Sequence, residues 1–167
     1  SDSLPVLERL GARVLDEHPY RIGSDALWIH DMGLQVSTDI ELSRIKERFE
    51  ALFSLAWRGD VESDDLNKLV LTTNLDARAI SVLRAYTRYF KQLGFAFSQT
   101  YIEAALNRHA AIAEAIVALF NARFDPGLAQ DRQAAQQRLS QGIEASLANV
   151  ASLDDDRILR QFFASVA

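Results

Sequence analysis

The sequence predicts a mainly α-helical bundle with a small helix and β-hairpin unit at its N-terminal end. From residue 38 onward, apolar residues recur at helical spacing in almost every segment. Only residues 13–32 contain the clusters of β-favouring residues that predict strands. The clearest helical segment, residues 75–94, has an apolar arc too broad for one neighbour to cover. We therefore expect a central helix there, with other helices packed around it.

The N-terminal unit begins with a short predicted helix. Asp2 or Ser3 can cap it, and Gly11 can end it after a narrow stripe of leucines at positions 4, 7 and 10. Residues 13–20 and 26–32 then predict two strands joined by a turn that contains Gly23. Because an isolated two-stranded ribbon is marginally stable in water, this hairpin must lean on a helix or borrow another strand.

Capping signals divide the next part of the chain. Thr38 and Glu41 form a capping box that predicts a helix ending at Gly59. Asp64 or Ser63 is expected to begin a short helix. Residues 75–94 follow as the central helix, which Asp76 caps and a left-handed Gly94 ends.

The central helix is predicted to have two contrasting faces. Arg84, Arg88 and Lys91 are expected on the face away from the core, where they are the best candidate for a binding surface. An ordinary solvated helix face explains this basic stripe equally well. The predicted core arc consists of Ala79, Val82, Leu83, Tyr86, Tyr89, Phe90 and Leu93.

Three further helices are predicted beyond Gly94. Ser98 caps the first, residues 109–124 form a second segment that Asp125-Pro126-Gly127 stops, and residues 128–151 are only weakly apolar. Gly142 costs the 128–151 helix about 1 kcal/mol relative to Ala, which favours a bend or a frayed middle.

The final helix begins at a capping box formed by Ser152 and Asp155. It is strongly apolar and continues to Ala167 without a stop signal, and the sequence does not begin with Met. We therefore expect the sequence to be a piece of a longer polypeptide. The free hairpin edge and the apolar side chains of this helix are expected to be exposed and to drive self-association, so that the chain forms a homo-oligomer. These side chains are Ile158, Leu159, Phe162 and Phe163.

Composition excludes several classes of protein. The formal net charge of −5 argues against a nucleic-acid partner, whose phosphates attract basic surfaces. The chain has no cysteine, which removes disulfides and thiolate ligands. No apolar run approaches the ~18 residues of a membrane span. We expect a soluble, cytoplasmic protein with neither a nucleic-acid nor a membrane partner.

The sequence contains no recognisable catalytic, cofactor-binding or metal-ligating set. Its seven glycines are scattered, so no phosphate-binding loop can be assembled. His18, His30 and His109 are far apart, and His30 and Asp31 should point to opposite faces of a strand. The acidic run at positions 154–156 is expected at a helix start because of the helix dipole. Catalytic, cofactor-binding and metal sites are accordingly all predicted to be absent.

Five blocks of the sequence resemble, in the same order, the very large bacterial NAD-specific glutamate dehydrogenases. They are LWIHDMGL (27–34), LNKLVL (66–71), LRAYTRYFKQLGFAFSQTYIEAAL (83–106), LFNARFDP (119–126) and LDDDRILRQFF (153–163). The resemblance implies a non-catalytic region ahead of the catalytic core. Residues 1–37 would then form part of an ACT-like module, residues 38–151 a helical domain, and residues 152–167 the start of a helix that approaches the catalytic domain.

The resemblance also implies an activity for the parent chain. That chain would use NAD to deaminate glutamate oxidatively to 2-oxoglutarate and ammonia, whereas this segment would serve assembly or regulation in contact with the rest of the parent chain. None of the three lysines, Lys46, Lys68 and Lys91, matches a catalytic position of the family.

Two other classes of protein remain open. One is a stand-alone helical interaction protein, and the other is an amino-acid-sensing regulatory domain. Gly23 and Gly33 do not clearly supply the ligand-binding turn that such a sensor needs.

Overall fold

The computed structural model describes residues 3–23, 27–36, 40–127 and 132–167. Within these ranges the fold is mainly helical, with one antiparallel hairpin near the N-terminal end, as the sequence predicts. The elements are α1 (Ser3–Arg9), β1 (Ala12–Ile22), β2 (Leu27–Val36), α2 (Leu42–Arg58), a 3₁₀ turn (Asp65–Lys68), α3 (Leu69–Thr72), α4 (Ala77–Gln92), α5 (Gln99–Arg108), α6 (Ala110–Phe124), α7 (Arg132–Leu147) and α8 (Leu153–Val166).

The hairpin is longer than predicted. Its register runs from Ala12 opposite Val36 to Ile22 opposite Leu27, with an irregularity between Val14 and Asp16. At this bulge the backbone N–H of Gly33 donates to Asp16 Oδ1 at 3.0 Å. A Cβ atom at position 33 would lie 2.5 Å from the same oxygen, so a larger residue there would displace the Asp16 carboxylate and break this hydrogen bond.

In the described part of the chain, the base of the hairpin is the region that packs against a helix. Leu10 and Ala12 are buried where α1 meets β1, which agrees with a ribbon that leans on a helix. Further out, four apolar side chains form two neighbouring cross-strand pairs on one face and remain about half exposed: Tyr20 with Ile29, and Ile22 with Leu27. The outer part of the ribbon therefore projects away from the helices.

Helix α2 begins later than the predicted capping box requires. Glu41, expected inside the helix, occupies the N-cap position without a side-chain capping hydrogen bond, and its carboxylate pairs with Arg44 at 2.7 Å. Thr38, the other half of the box, lies outside the described residues. The predicted end at Gly59 is confirmed.

The remaining caps follow the sequence signals closely. Side-chain oxygens of Asp64, Asp76, Ser98 and Ser152 each accept a backbone N–H within the first turn that they begin. Each such cap is worth about 1 kcal/mol, because it satisfies a donor that the helix cannot. Gly94 adopts φ of 74°, the left-handed conformation that ends α4.

Helix α4 runs through the centre of the core, as predicted. Ile80, Leu83 and Phe90 are fully buried, and the Phe90 ring meets Phe162 of α8 edge-on at 4.8 Å between centroids. The expectation that α8 exposes its apolar side chains is wrong. Ile158, Leu159 and Phe162 are buried and Phe163 is partly buried, because α8 packs against α5, α6 and α7 within the same chain.

Helix α7 is continuous where a bend was predicted. It runs from Arg132 to Leu147 through Gly142, while residues 128–131 of the predicted 128–151 segment lie outside the described ranges. Ile143 and Leu147 are buried, chiefly through packing of α7 on α6. This packing offsets the propensity cost of ~1 kcal/mol at the glycine. None of the described helices is both long enough and apolar enough to cross a membrane.

Candidate functional site

The predicted basic stripe does not exist as a surface, because Arg84 is buried. Its guanidinium Nε donates to Asp64 Oδ2 at 2.5 Å, and its Nη2 donates to Asp64 Oδ1 and Asn67 Oδ1, both at 2.9 Å. Only 6% of Arg84 is exposed. The prediction that it faces solvent is therefore wrong. A guanidinium that is bidentately paired with a carboxylate is stable where a free one would not be.

The other two members of the stripe remain at the surface. Arg88 pairs with Glu62, a residue that also lies 3.8 Å from the Arg84 guanidinium. Lys91 is exposed. Since the charges of Arg84 and Arg88 are both matched by carboxylates, no continuous basic surface forms along α4.

Asp155 organises a second charge cluster at the junction of α5, α6 and α8. Its carboxylate accepts from Arg108 Nε at 2.9 Å and from Arg108 Nη2 at 2.6 Å, and it lies 3.1 Å from His109 Nε2. These hydrogen bonds, chiefly those from Arg108, hold the pKa of the Asp155 carboxyl below its usual range. The predicted capping box is thus half formed, because Ser152 caps the helix while Asp155 binds α5.

Two aspartates of the acidic run at the start of α8 form ion pairs with arginines of the same chain. Asp155 is bound by Arg108 as described, and Asp156 accepts from Arg160 Nε at 2.8 Å with both oxygens. Within the described parts of the chain, no group of three His, Cys, Asp or Glu side chains is arranged to hold a metal ion.

The three histidines occupy separate places. His30 Nδ1 lies 2.6 Å from Glu17 Oε1 across the hairpin, and His18 stands opposite Asp31 in the register. His109 lies at the α5–α6 junction. The structure therefore brings together neither the three histidines nor the His30-Asp31 pair, and instead joins His30 to a carboxylate on the other strand.

A buried carboxyl that sequence reasoning missed lies on α5. Glu103 is 4% exposed and accepts from Gln99 Nε2 at 2.8 Å. Burial raises the pKa of this carboxyl, and the nearby Asp64 acts in the same direction. Glutamate on an apparently polar position of a short helix gives no signal that this position faces the core.

The three lysines are surface residues. Lys46 Nζ lies 4.0 Å from Glu50, and Lys68 Nζ lies 3.2 Å from Asp65. The Lys46 side chain is 64% exposed and that of Lys68 is 40% exposed, and Lys91 is exposed near the end of α4. Each therefore keeps an ordinary surface environment rather than the desolvated one that activates a catalytic lysine.

An open apolar groove between α4 and α6 is the most distinctive surface of the helical core. It is lined by Arg78, Ser81, Val82, Ala85, Tyr86, Tyr89 and Phe120. The predicted core arc is wrong for Tyr89 and Leu93, which are 49% and 60% exposed. The buried face of α4 is rotated toward Ile80, Arg84 and Thr87, so one edge of the apolar arc is left uncovered.

Tyr86 forms the wall between this groove and the core. Its ring meets Phe120 and Phe162 edge-on, and its hydroxyl lies 3.4 Å from the carbonyl oxygen of Ser165. Burial raises the pKa of the Tyr86 hydroxyl. Tyr86, a member of the predicted core arc, thus packs against the core with its hydroxyl near a polar group. The groove itself offers shape and apolar contact but no nucleophile paired with a base.

Comparison with known proteins gives a consistent result. The family model for the ACT3 domain of glutamate dehydrogenase matches residues 1–46, and the model for helical motif 3 of glutamate dehydrogenase matches residues 61–126. The chain is 42% identical over 170 residues to the NAD-specific glutamate dehydrogenase of Pseudomonas aeruginosa. It is 40% identical over 166 residues to that of Halomonas elongata and 36% identical over 179 residues to that of Mycobacterium tuberculosis.

These matches cover nearly all of the chain but little of each relative. They include 97% to 99% of the chain and 10% to 11% of the relatives' length. The ACT3 match contains the hairpin, and the helical-motif match contains the buried Arg84 cluster and all the residues that line the α4–α6 groove. The chain therefore belongs to the large NAD-specific glutamate dehydrogenase family, of which it represents one segment.

Proposed function

We propose that this chain is a non-catalytic segment that serves assembly or regulation in an NAD-dependent glutamate dehydrogenase. The parent enzyme would oxidise glutamate with NAD⁺ and water to 2-oxoglutarate and ammonium, with reduction of the cofactor to NADH. The partners of the segment would be the rest of the parent chain and further copies of it, in the cytoplasm.

The main support for this proposal is that the buried charged groups bind other side chains of the same chain. Arg84 and Asp155, the most deeply buried cation and anion of the described ion pairs, each bind side chains of other elements within the helical core. Catalytic groups need a reacting atom within reach, whereas these groups hold α4 to the 3₁₀ turn and α8 to α5. Such cross-links suit a rigid support for neighbouring domains.

The surfaces of the chain also support an assembly role. The outer hairpin presents Tyr20, Ile22, Leu27 and Ile29 on one face, and the α4–α6 groove presents a second apolar surface. Exposed apolar surfaces of this kind are typical of sites that contact another protein or another domain. Both lie within or next to regions that match glutamate dehydrogenase models.

Calorimetric titration of the 167-residue chain with NAD⁺ tests the proposal. We expect no saturable heat and no turnover of glutamate, because the scattered glycines provide no phosphate-binding loop. The full-length parent enzyme is the positive control. Saturable binding at micromolar affinity that Arg78→Ala abolishes would contradict the proposal, because it would place a nucleotide site in the α4–α6 groove.

A further inference from the structure

The exposed side of α4 carries a regular stripe that the core does not use. Arg78, Val82, Ala85, Tyr89 and Gln92 follow one another at intervals of four, three, four and three residues. This spacing places side chains along one seam of a helix, as at the contact positions of paired helices. All five residues are exposed or only partly buried. Helix α4 therefore has a second contact face in addition to the buried one.

The stripe is nearly symmetric about Ala85, because Arg78 and Gln92 lie seven residues to either side, while Val82 lies three residues before and Tyr89 four residues after. If two copies of α4 pack antiparallel with their Ala85 residues facing each other, Val82 of each copy lies within one residue of Tyr89 of the other, or about 1.5 Å along the helix axis. Arg78 then lies opposite Gln92. The small alanine at the centre permits close approach of the two helices, and each aromatic ring meets an aliphatic side chain. The amide oxygen of Gln92 is a suitable acceptor for the Arg78 guanidinium.

Charge selects the antiparallel arrangement. In a parallel pair the two Arg78 side chains would face each other, and among the described residues neither has a carboxylate partner within its own chain. In the antiparallel pair they are 14 residues apart along the seam, or about 21 Å at 1.5 Å per residue. This distance exceeds the Debye length of ~8 Å at physiological salt. Arg88, beside the seam, is already paired with Glu62.

The groove beside α4 completes the contact. Phe120 of α6 lines it, and Phe124, which is 52% exposed, lies further along the same side. A second helix lying along α4 would cover both rings. The residue types along this surface are thus suited to meet a second copy of the same surface, as a two-fold interface requires.

We propose that the α4–α6 groove is a two-fold interface between two copies of this chain, with Ala85 at the symmetry axis. This inference rests on the proposed assembly role and specifies the surface that performs it. The contact involves fewer than the 20–30 residues per partner that are typical of standard interfaces, so we expect a Kd of about 1–100 µM.

Sedimentation across a concentration series tests the interface. We expect wild type to dimerise and Ala85→Glu to weaken the dimer at least about tenfold, because two carboxylates would face each other at the axis. Ala145→Glu is the matched control, since Ala145 is an exposed alanine on α7, a helix that does not carry the seam. Circular dichroism checks that both variants are folded.

A disulfide trap identifies the surface independently. Two helices packed 8–10 Å apart, each with Cα atoms about 2.3 Å from its axis, bring facing Cα atoms to roughly 3.5–5.5 Å. This range overlaps the distances that a disulfide spans. The chain has no cysteine, so Ala85→Cys introduces its only thiol. We expect this variant to form a covalent dimer under mild oxidation at least tenfold faster than Ala145→Cys.

The possible failures are distinguishable. A strictly monomeric wild type at several hundred micromolar would overturn the inference and would leave the groove for a helix elsewhere in the parent chain. A dimer that Ala85→Glu does not weaken would also overturn it, and would shift the contact to the hairpin while the assembly role remained. Equal oxidation rates of the two cysteine variants would likewise contradict an axis at Ala85. Nucleotide binding in the calorimetric experiment would instead contradict the proposed function itself.

Discussion

Replacement of Arg84 by methionine tests whether the buried ion pair holds α4 in place. The variant keeps an unbranched apolar side chain but removes the guanidinium that binds Asp64 and Asn67. The Asp64 side chain is only 12% exposed, so its charge would remain largely desolvated without its cation. The amide oxygen of Asn67, a fully buried residue, would lose its donor as well.

The expected magnitude follows from that burial. Removal of one partner of a buried ion pair typically costs about 3–5 kcal/mol, because the other charge is left uncompensated. For a chain of this size each kcal/mol lowers Tm by about 2–4 °C, so the midpoint should fall by roughly 6–20 °C. The double variant Arg84→Met with Asp64→Asn should recover at least about 1 kcal/mol of the sum of the single losses, because it removes both charges together.

Chemical denaturation measures the free energy of unfolding for all three variants. Arg88→Met is the matched control, since Arg88 belongs to the same helix but its side chain is 57% exposed and pairs with the similarly solvated Glu62. It should cost no more than about 1 kcal/mol. Surface substitutions usually change the free energy of unfolding by no more than about 0.5 kcal/mol. Losses for Arg84→Met and Arg88→Met that agree within this margin would refute the reasoning.

Two further predictions concern the core and the Asp155 cluster. Phe90→Ala should lower the free energy of unfolding by about 3–5 kcal/mol, because the Phe90 ring is fully buried against Phe162. Tyr89→Ala, at a half-exposed site, should lower it by less than about 1 kcal/mol, and equal losses in urea denaturation would mean that the buried face of α4 is misassigned. The pKa of Asp155 is lowered in the folded protein, so its charged form stabilises the fold above the unfolded-state pKa of about 3.9. This stabilisation is lost as the pH falls through the folded-state pKa. The stability difference between wild type and Asp155→Asn should therefore shrink between pH 7 and pH 3, and a difference that stays constant would exclude this linkage.

Helix boundaries could be predicted from sequence because capping is local. Asp76, Ser98 and Ser152 each accept the backbone N–H three positions further along the chain, and Gly94 ends α4 through its own backbone conformation. The information needed lies within four residues of each boundary. The exception, α2, shows the limit of this reasoning, since Glu41 takes the N-cap position without capping.

The buried face of α4 could be predicted only in part, because its edges depend on partners distant in sequence. Arg84 is internal since Asp64 and Asn67 lie on the preceding turn, and the helical pattern alone assigns any arginine to solvent. Tyr89 is half exposed although its spacing places it on the apolar arc, since burial depends on which neighbours pack against a residue and not on periodicity alone. The burial of the apolar face of α8 likewise depends on helices that lie far from it in the sequence.

The candidate site was predictable only in part. The spacing of Val82, Ala85 and Tyr89 is visible in the sequence, but it does not reveal which of two apolar edges of α4 the core uses. The groove exists only because Phe120, on a different helix, stands beside that edge. Similarly, the binding of Asp155 by Arg108 joins residues 47 positions apart.

The turnover of the full-length parent enzyme with all three lysines of this segment replaced by arginine tests the central claim most directly. Arginine keeps the positive charge at Lys46, Lys68 and Lys91, and hence the surface pairs with Glu50 and Asp65, but it cannot act as a catalytic amine. If the segment is non-catalytic, NADH production from glutamate per active site should stay within about twofold of wild type, since surface substitutions of this kind have small effects. A fall of about 100-fold or more with the fold intact, the size of loss expected when a general acid or base is removed, would show that the segment supplies a catalytic lysine and would contradict the account.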